Sequence, residues 1–381
     1  MDYLQERITT LHDLTDPLPE APVSDSVVVV PIAGERREAV TPTHVFEALA
    51  AVGPKEVVVP LRAPAEVARA FDRWTDGFDV SVTTLWCSAP AVDRLLADHG
   101  LDSEGGDESG DDADGKGRDV WLGLGVAAAR GEYVAVHDAD ATTYSEQHVP
   151  RLLAPLSTGH EVVKGYYARV EDGRLFGRLV RLFVAPLVRA LGDRHAHPLL
   201  DYLAAFRYPL AGEVAMSADA ARRVRAQRAW GLEIGMLGEW FDIAGETGTA
   251  QVDLGVHRHS HRPVGGHGGL SSMADEVGEA LFRALDDHGI EPDYGTLPEA
   301  YRAAAGRLIE QYGADARFNG LDHDAESERE QVRAYESSIA PPGADTRLPA
   351  WDDTDLSPGA VARAARSALQ QAGDHPSSVT E

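Results

Sequence analysis

Residues 26–31 read Ser-Val-Val-Val-Val-Pro and residues 56–60 read Glu-Val-Val-Val-Pro, with none of the polar alternation of a strand that faces water. Short β-branched runs, apolar on both faces, fit strands covered from both sides, and that arrangement is a parallel sheet. Helical spacing fills the gaps. Residues 41–52 have Thr41 as a cap and Pro42 in the first turn, and residues 65–74 follow Pro64. A strand over 79–86, a helix over 120–130 and a strand over 133–137 continue the alternation. The N-terminal half is therefore expected to form a Rossmann-like, doubly wound α/β sheet whose ligand sits at the carboxyl ends of the strands.

Around that sheet, residues 1–24 read as a short helix and a Pro-rich connector. The stretch 102–114 (DSEGGDESGDDAD) is too acidic and Gly-rich to bury apolar area, and a solvated, mobile loop is expected. Beyond Asp140, residues 161–169 and 249–257 are strand-like, 176–191 form a long helix and 272–336 are helical in period. The division expected is a connector over 1–24, the sheet domain over 25–271, a helical extension over 272–340 and a partly disordered tail over 341–381, rich in Pro, Ala, Ser and Asp.

The chain has 381 residues, 43% of them hydrophobic, enough for one large or two modest cores. Its formal net charge is −27, and only Lys55, Lys116 and Lys164 are lysines among 35 basic residues. A surface of that sign repels a phosphate backbone, which excludes nucleic acid as a partner. Acidic, lysine-poor surfaces suit concentrated salt, so a halophilic archaeal source is expected. The single Cys87 excludes an intrachain disulfide, no apolar run approaches the roughly 18 residues that span a bilayer, and the N-terminus is not signal-like; a cytoplasmic location is expected.

Asp138-Ala139-Asp140 follows an apolar strand directly, so two carboxylates stand at the sheet's carboxyl edge. Hard oxygen ligands there suit Mg²⁺ or Mn²⁺ bridging a diphosphate. His257, His259 and His261 alternate along one strand-like face, where at least one can complete the metal site with Asp140, or else the three titrate on a solvated edge strand. Gly115-Lys116-Gly117 offers an ammonium and backbone amides to an anionic nucleotide, without the spacing of a phosphate-binding GxxxxGK[ST] loop. Glu233 lies among apolar residues between two glycines. It suits a sugar hydroxyl or proton transfer, or else a charge favoured at a helix N-terminus. Arg174, Arg178 and Arg181 fall near one helix face, either as a phosphate receptor or as plain surface.

In order and spacing these residues resemble the glucosyl-3-phosphoglycerate synthase family of retaining GT-A glycosyltransferases. The likeness spans about residues 27–273. It is carried by Gly115-Lys116-Gly117, Asp138-Ala139-Asp140, Val163-Lys164-Gly165-Tyr166-Tyr167, Gly177-Arg178 through Pro186, Pro209-Leu-Ala-Gly-Glu213, Gly231-Leu-Glu-Ile-Gly235, and Leu254 through Pro263. The resemblance implies a GT-A fold with a helical C-terminal extension and Mg²⁺ or Mn²⁺ held by Asp140 and His259. It places a nucleotide sugar on Pro31, Glu35, Lys116 and Asp138, the sugar and diphosphate region on Glu233 and Arg258, and the acceptor on Arg178, Gly212 and His261. UDP-glucose is the first donor implied and a GDP-sugar the second; the acceptor is 3-phosphoglycerate, the product a precursor of the compatible solute glucosylglycerate. A homodimer is implied as well, with the C-terminal helices available for its interface. Two turns depart from the family: residues 31–35 keep only Pro31 and Glu35, and Leu61-Arg62-Ala63 replaces an Asp-Ser-Gly-Ser turn. The competing readings are mannosyl transfer to 3-phosphoglycerate, hexose transfer to glycerate or a lipid-linked phosphate, a silent nucleotide-sugar binding protein, and a nucleotidyltransferase faintly echoed by residues 33–37.

Overall fold

The computed structural model describes residues 5–14, 18–34, 42–102, 115–258 and 270–374. The N-terminal half runs β1 (Thr9–Leu11), β2 (Ser26–Val29), β3 (Ile32–Ala33), α1 (Thr43–Val52), β4 (Glu56–Arg62), α2 (Ala65–Thr75), β5 (Val82–Trp86), α3 (Pro90–Asp98), α4 (Lys116–Ala128) and β6 (Tyr133–Val136). The rest continues with α5 (His148–Leu153), β7 (Val162–Glu171), β8 (Arg174–Leu175), α6 (Ala185–Gly192), α7 (Pro198–Ala205), β9 (Val214–Ser217), α8 (Ala218–Arg223), α9 (Leu232–Ile243) and β10 (Thr249–His257). Four helices follow, α10 (Leu270–Asp287), α11 (Leu297–Phe318), α12 (Ala325–Tyr335) and α13 (Pro358–Asp374).

The strands form one mixed, mostly parallel sheet in the order β1-β10-β7-β9-β6-β2-β4-β3, with β5 also paired to β4 and β8 to β7. Val27, Val28 and Val29 are wholly buried, as their unbroken apolar pattern requires. Only β9 and the short β8 run antiparallel to their neighbours. Reversing β9 between β6 and β7 brings the segment that enters it, ending at Glu213, to the edge where β6 ends, because Val214 pairs with Val136. The site forms at that edge.

Three expectations need correction. The N-terminal segment contains a strand where a helix was expected: Thr9–Leu11 adds to β10 in parallel, and the buried Thr10 hydroxyl accepts from Gln251 Nε2 at 2.9 Å. The long helix begins at residue 178 and carries a π-helical turn at Val180–Val184, so Arg174 lies in β8 and not on its face. Arg181 is buried, bonded to the carbonyls of Leu175 and Phe176 and paired with Glu328 at 2.8 Å, which ties the helix to the extension and keeps Arg181 off the exposed surface.

The third correction is the tail, where residues 341–374 are built into the molecule. Trp351 stacks on Trp121 at 4.2 Å and 15°, with the two indole N–H groups bonding to Trp121 O and Pro349 O. Gly125 makes room, since a Cβ there would lie 2.0 Å from the Trp351 ring. Val361, Ala365 and Leu369 recur every fourth residue along α13, a buried stripe that closes over α2, α3 and β5. Residues 103–114 and 375–381 lie outside the described residues.

Candidate active site

Strand β6 ends at Val136, and the next four residues are His137, Asp138, Ala139 and Asp140, the last three half-buried. Beside this edge, Thr142 donates its amide to Arg258 O at 2.7 Å, and Thr143 Oγ1 accepts from Arg258 N at 3.2 Å. The end of β10 is thereby pinned two and three residues past Asp140. Arg258 itself is exposed. Gly212 lies against Asp138, and a Cβ on it would fall 2.3 Å from Asp138 Oδ2.

The lysine flanked by glycines opens α4, with Gly115 as N-cap, so the helix starts four residues earlier than its apolar pattern indicated. The Gly115 amide is bonded to Arg228 O at 3.1 Å and is not open to a nucleotide. Both glycines are explained by backbone approach. A Cβ at Gly117 would stand 1.9 Å from Gln227 O, and one at Gly115 would stand 2.8 Å from Ala229 Cβ. Pressed against residues 227–229, the segment aims Lys116 across the sheet edge. Its Nζ lies 2.6 Å from Asp138 Oδ1 and 2.9 Å from Glu233 Oε1. Burial opposes the ammonium, but the two carboxylates overcome it and hold Lys116 protonated, above its ordinary range.

Glu233 sits in the first turn of α9, where the helix dipole also favours a carboxylate, and it is 7% exposed. The binding reading and the dipole reading therefore describe the same residue. Asp138, Lys116 and Glu233 come from three distant parts of the chain and form one charged knot.

Likeness to known proteins gives the knot a context. No protein-family model matches the chain. It is 31% identical over 370 residues to a glucosyl-3-phosphoglycerate synthase of Methanococcoides burtonii, covering 91% of this chain and 90% of that one. It is 33% identical over 290 residues to the enzyme of that name from Persephonella marina, covering 73% and 70%. The chain belongs to the glucosyl-3-phosphoglycerate synthase family. The Mycobacterium tuberculosis glucosyl-3-phosphoglycerate synthase, solved with Mn²⁺, UDP-glucose and phosphoglyceric acid, shares its fold at a TM-score of 0.52 and 21% identity, over 76% of this chain and 90% of that one. The fold is therefore GT-A, as expected, and the chain is a glycosyltransferase.

Within this family member the remaining expectations fall out as follows. Pro31 is half-buried just past β2, and Arg178 is exposed at the start of its helix, after Gly177 at φ 73°. Glu35, His259 and His261 lie outside the described residues. Of the three histidines expected to share one face, His257 is buried, stacked on Tyr167 at 4.1 Å and 3.9 Å from the equally buried Glu213, which rules out the solvated-strand alternative for it. Among the described residues no three of His, Cys, Asp and Glu converge as a complete metal cage. Asp140 nonetheless fits Mg²⁺ or Mn²⁺, since such ions keep positions for water and phosphate and ask few ligands of the protein.

Two contributors were given no role from the sequence, Arg62 lying in a departure from the family and Lys164 in a segment that only carried the likeness. Arg62, the last residue of β4 and part of the altered Leu61-Arg62-Ala63 segment, bonds Asp119 Oδ2 at 2.9 Å and Gly115 O at 2.9 Å, fixing the start of α4. Lys164, on β7, is 1% exposed, and its Nζ has no hydrogen-bond partner.

Behind Asp138, His137 is wholly buried and packs with Tyr144 and His148. Burial pushes His137 well below its ordinary value and His148 down to about 4. A histidine with a depressed folded pKa binds fewer protons than the unfolded chain, so stability falls as pH drops from the unfolded value near 6.5 toward 4. His148 alone is expected to remove about 3 kcal/mol across that window. Denaturant midpoints measured from pH 7 to 4.5 should fall steadily in the wild type and less steeply in His148→Gln. Parallel curves would show that other groups govern acid unfolding.

Proposed function

We propose that the chain transfers glucose from UDP-glucose to the 2-hydroxyl of 3-phosphoglycerate, releasing UDP and forming glucosyl-3-phosphoglycerate. The observation that carries the proposal is Lys116 held between Asp138 and Glu233 at the carboxyl edge of β6, beside Asp140. Asp140 and His259 would hold Mg²⁺ or Mn²⁺, which when bound supplies positive charge to the departing diphosphate. The chain's own residues position the partners. Lys116 and the exposed Arg258 present cations to the diphosphate, Pro31, Glu35 and Asp138 bound the nucleotide, and Glu233 accepts from a glucose hydroxyl. Arg178, with no carboxylate bonded to it among the described residues, stands at a helix N-terminus, where guanidinium and dipole together favour the acceptor's phosphate, and by the family resemblance Gly212 and His261 complete the acceptor site. The bond from the anomeric carbon to the donor phosphate breaks on the side where the new glycosidic bond forms, with retention, and the 2-hydroxyl's proton passes to the departing diphosphate oxygen on that same side. We place the reaction in the cytoplasm, where nucleotide sugars and phosphoglycerate are made. No helix among the described residues is long and apolar enough to cross a membrane.

The test is transfer by the purified chain in molar KCl with Mg²⁺ or Mn²⁺, offering UDP-glucose, ADP-glucose, GDP-glucose and GDP-mannose with 3-phosphoglycerate. A hexosyl phosphoglycerate seen by mass spectrometry, formed fastest from UDP-glucose, is the expected result. Preferential use of GDP-mannose would make the chain a mannosyltransferase. Donor binding without any product would reject the acceptor.

A further inference from the structure

In a chain with three lysines, two lie against α9. Lys116 pairs with Glu233 directly. Lys164 approaches from beneath: β7 carries it between Gln251 of β10 and Val214 of β9, and its Nζ lies 5.7 Å from the centroid of the wholly buried Trp240 ring. Trp240 and Glu233 are seven residues apart on α9, two turns along one face, so the ammonium runs under the helix that bears the carboxylate. Burial pushes Lys164 down to about 8, against the opposing pull of Glu233 first and Glu213 second. An ammonium without a hydrogen-bond partner at 1% exposure is expensive, and packing alone is better served by methionine. A buried cation held by an aromatic face and by nearby carboxylates, with no hydrogen bond to any of them, points to a task.

The task follows from the knot above it. Lys116 is bound to Asp138 and Glu233 together. On the reading of the preceding section, a donor diphosphate competes for that same ammonium. Glu233 then needs a second cation if its carboxylate is to stay aimed at the sugar. We infer that Lys164 is a positioning residue for Glu233, the buried cation that anchors this carboxylate when a donor diphosphate draws Lys116 away. Lys164 touches neither nucleotide nor acceptor. The charged and titratable groups facing it are Lys116 on α4, Asp138 after β6, Glu213 before β9 and Glu233 on α9.

The full chain carrying Lys164→Met, Glu233→Gln and both together separates this role from a structural one. Lys164→Met is expected to fold with an unchanged or higher Tm, because an unsatisfied buried charge is removed. Its affinity for UDP alone should stay within about twofold, while the preference for UDP-glucose over UDP falls about tenfold and kcat at least about 30-fold. The double variant should be no worse than Glu233→Gln within about twofold, since the lysine acts through the carboxylate. If Lys164→Met does not fold, Lys164→Gln is the second variant, and the same separation is expected of it. Turnover within about threefold of wild type, losses that add to those of Glu233→Gln, or an equal loss for UDP and UDP-glucose would each overturn the inference. A wild type that binds UDP-glucose but makes no product rejects the acceptor, while the UDP-glucose to UDP ratio still reads Lys164. A wild type that binds neither overturns both.

Discussion

Asp140→Ala is expected to lower turnover by at least about 1,000-fold while leaving Tm nearly unchanged. Asp140 is half-buried in the turn after β6, outside the packed layers, so its removal creates no cavity in the core. What is lost, on the proposed function, is an anionic oxygen at the strand edge where the donor's diphosphate would bind. Asp140→Asn keeps the shape and one neutral oxygen, and is expected to retain more activity, a loss of roughly 10- to 100-fold that added Mn²⁺ partly restores. Two readings belong together: kcat as a function of Mn²⁺, and Mn²⁺ affinity in the presence of UDP, for wild type and both variants. An Asp140→Ala chain that keeps wild-type Mn²⁺ affinity, or turns over within tenfold, would remove Asp140 from the metal site.

The sheet was legible because its strands advertise themselves. Val27–Val29 and Val57–Val59 have no polar side to hide, and helical spacing between them leaves few other topologies. Thr9–Leu11 carried no such sign: a three-residue edge strand is defined by its partner, some 240 positions later in the sequence, and not by its own pattern. The tail was misread for a different reason. Its Ala-, Ser- and Asp-rich composition masks a stripe of Val361, Ala365 and Leu369, and Trp351 is the bulky apolar residue that composition alone discounts. At the site, Asp138 and Asp140 could be read from their place after an apolar strand, and Lys116 from its scarcity. The contacts among Lys116, Asp138 and Glu233 join residues up to 117 positions apart and follow from the crossing of α4, β6 and α9. Period two put His257 on a shared face with its neighbours, but alternation does not say whether a face meets water or Tyr167. Arg181 likewise kept its place on the helix, but it is buried and paired with Glu328 of α12, so the plain-surface reading fails for it.

Lys116→Arg should fail almost as completely as Lys116→Ala, although it preserves the charge. The ammonium is a compact donor that meets oxygens of two side chains at 2.6 and 2.9 Å, whereas a guanidinium is a wide planar fork suited to two oxygens of one carboxylate. The backbone cannot retreat to make room. Gly115 and Gly117 lie against residues 227–229 so closely that even a Cβ would clash, and Arg62 holds Gly115 O and Asp119 in place from the other side. A longer side chain therefore pushes Asp138 or Glu233 out of line. The expected loss in kcat/KM is about 1,000-fold for Lys116→Ala and at least about 100-fold for Lys116→Arg. Lys116→Ala also leaves Asp138 and Glu233 facing one another without the shared cation, at a cost of about 1–3 kcal/mol in stability, less if water enters the gap. Steady-state kinetics with UDP affinity and denaturant titration of both variants divide the two effects. Near wild-type turnover in Lys116→Arg would mean that charge alone suffices there, and that the three-way geometry of the knot is incidental.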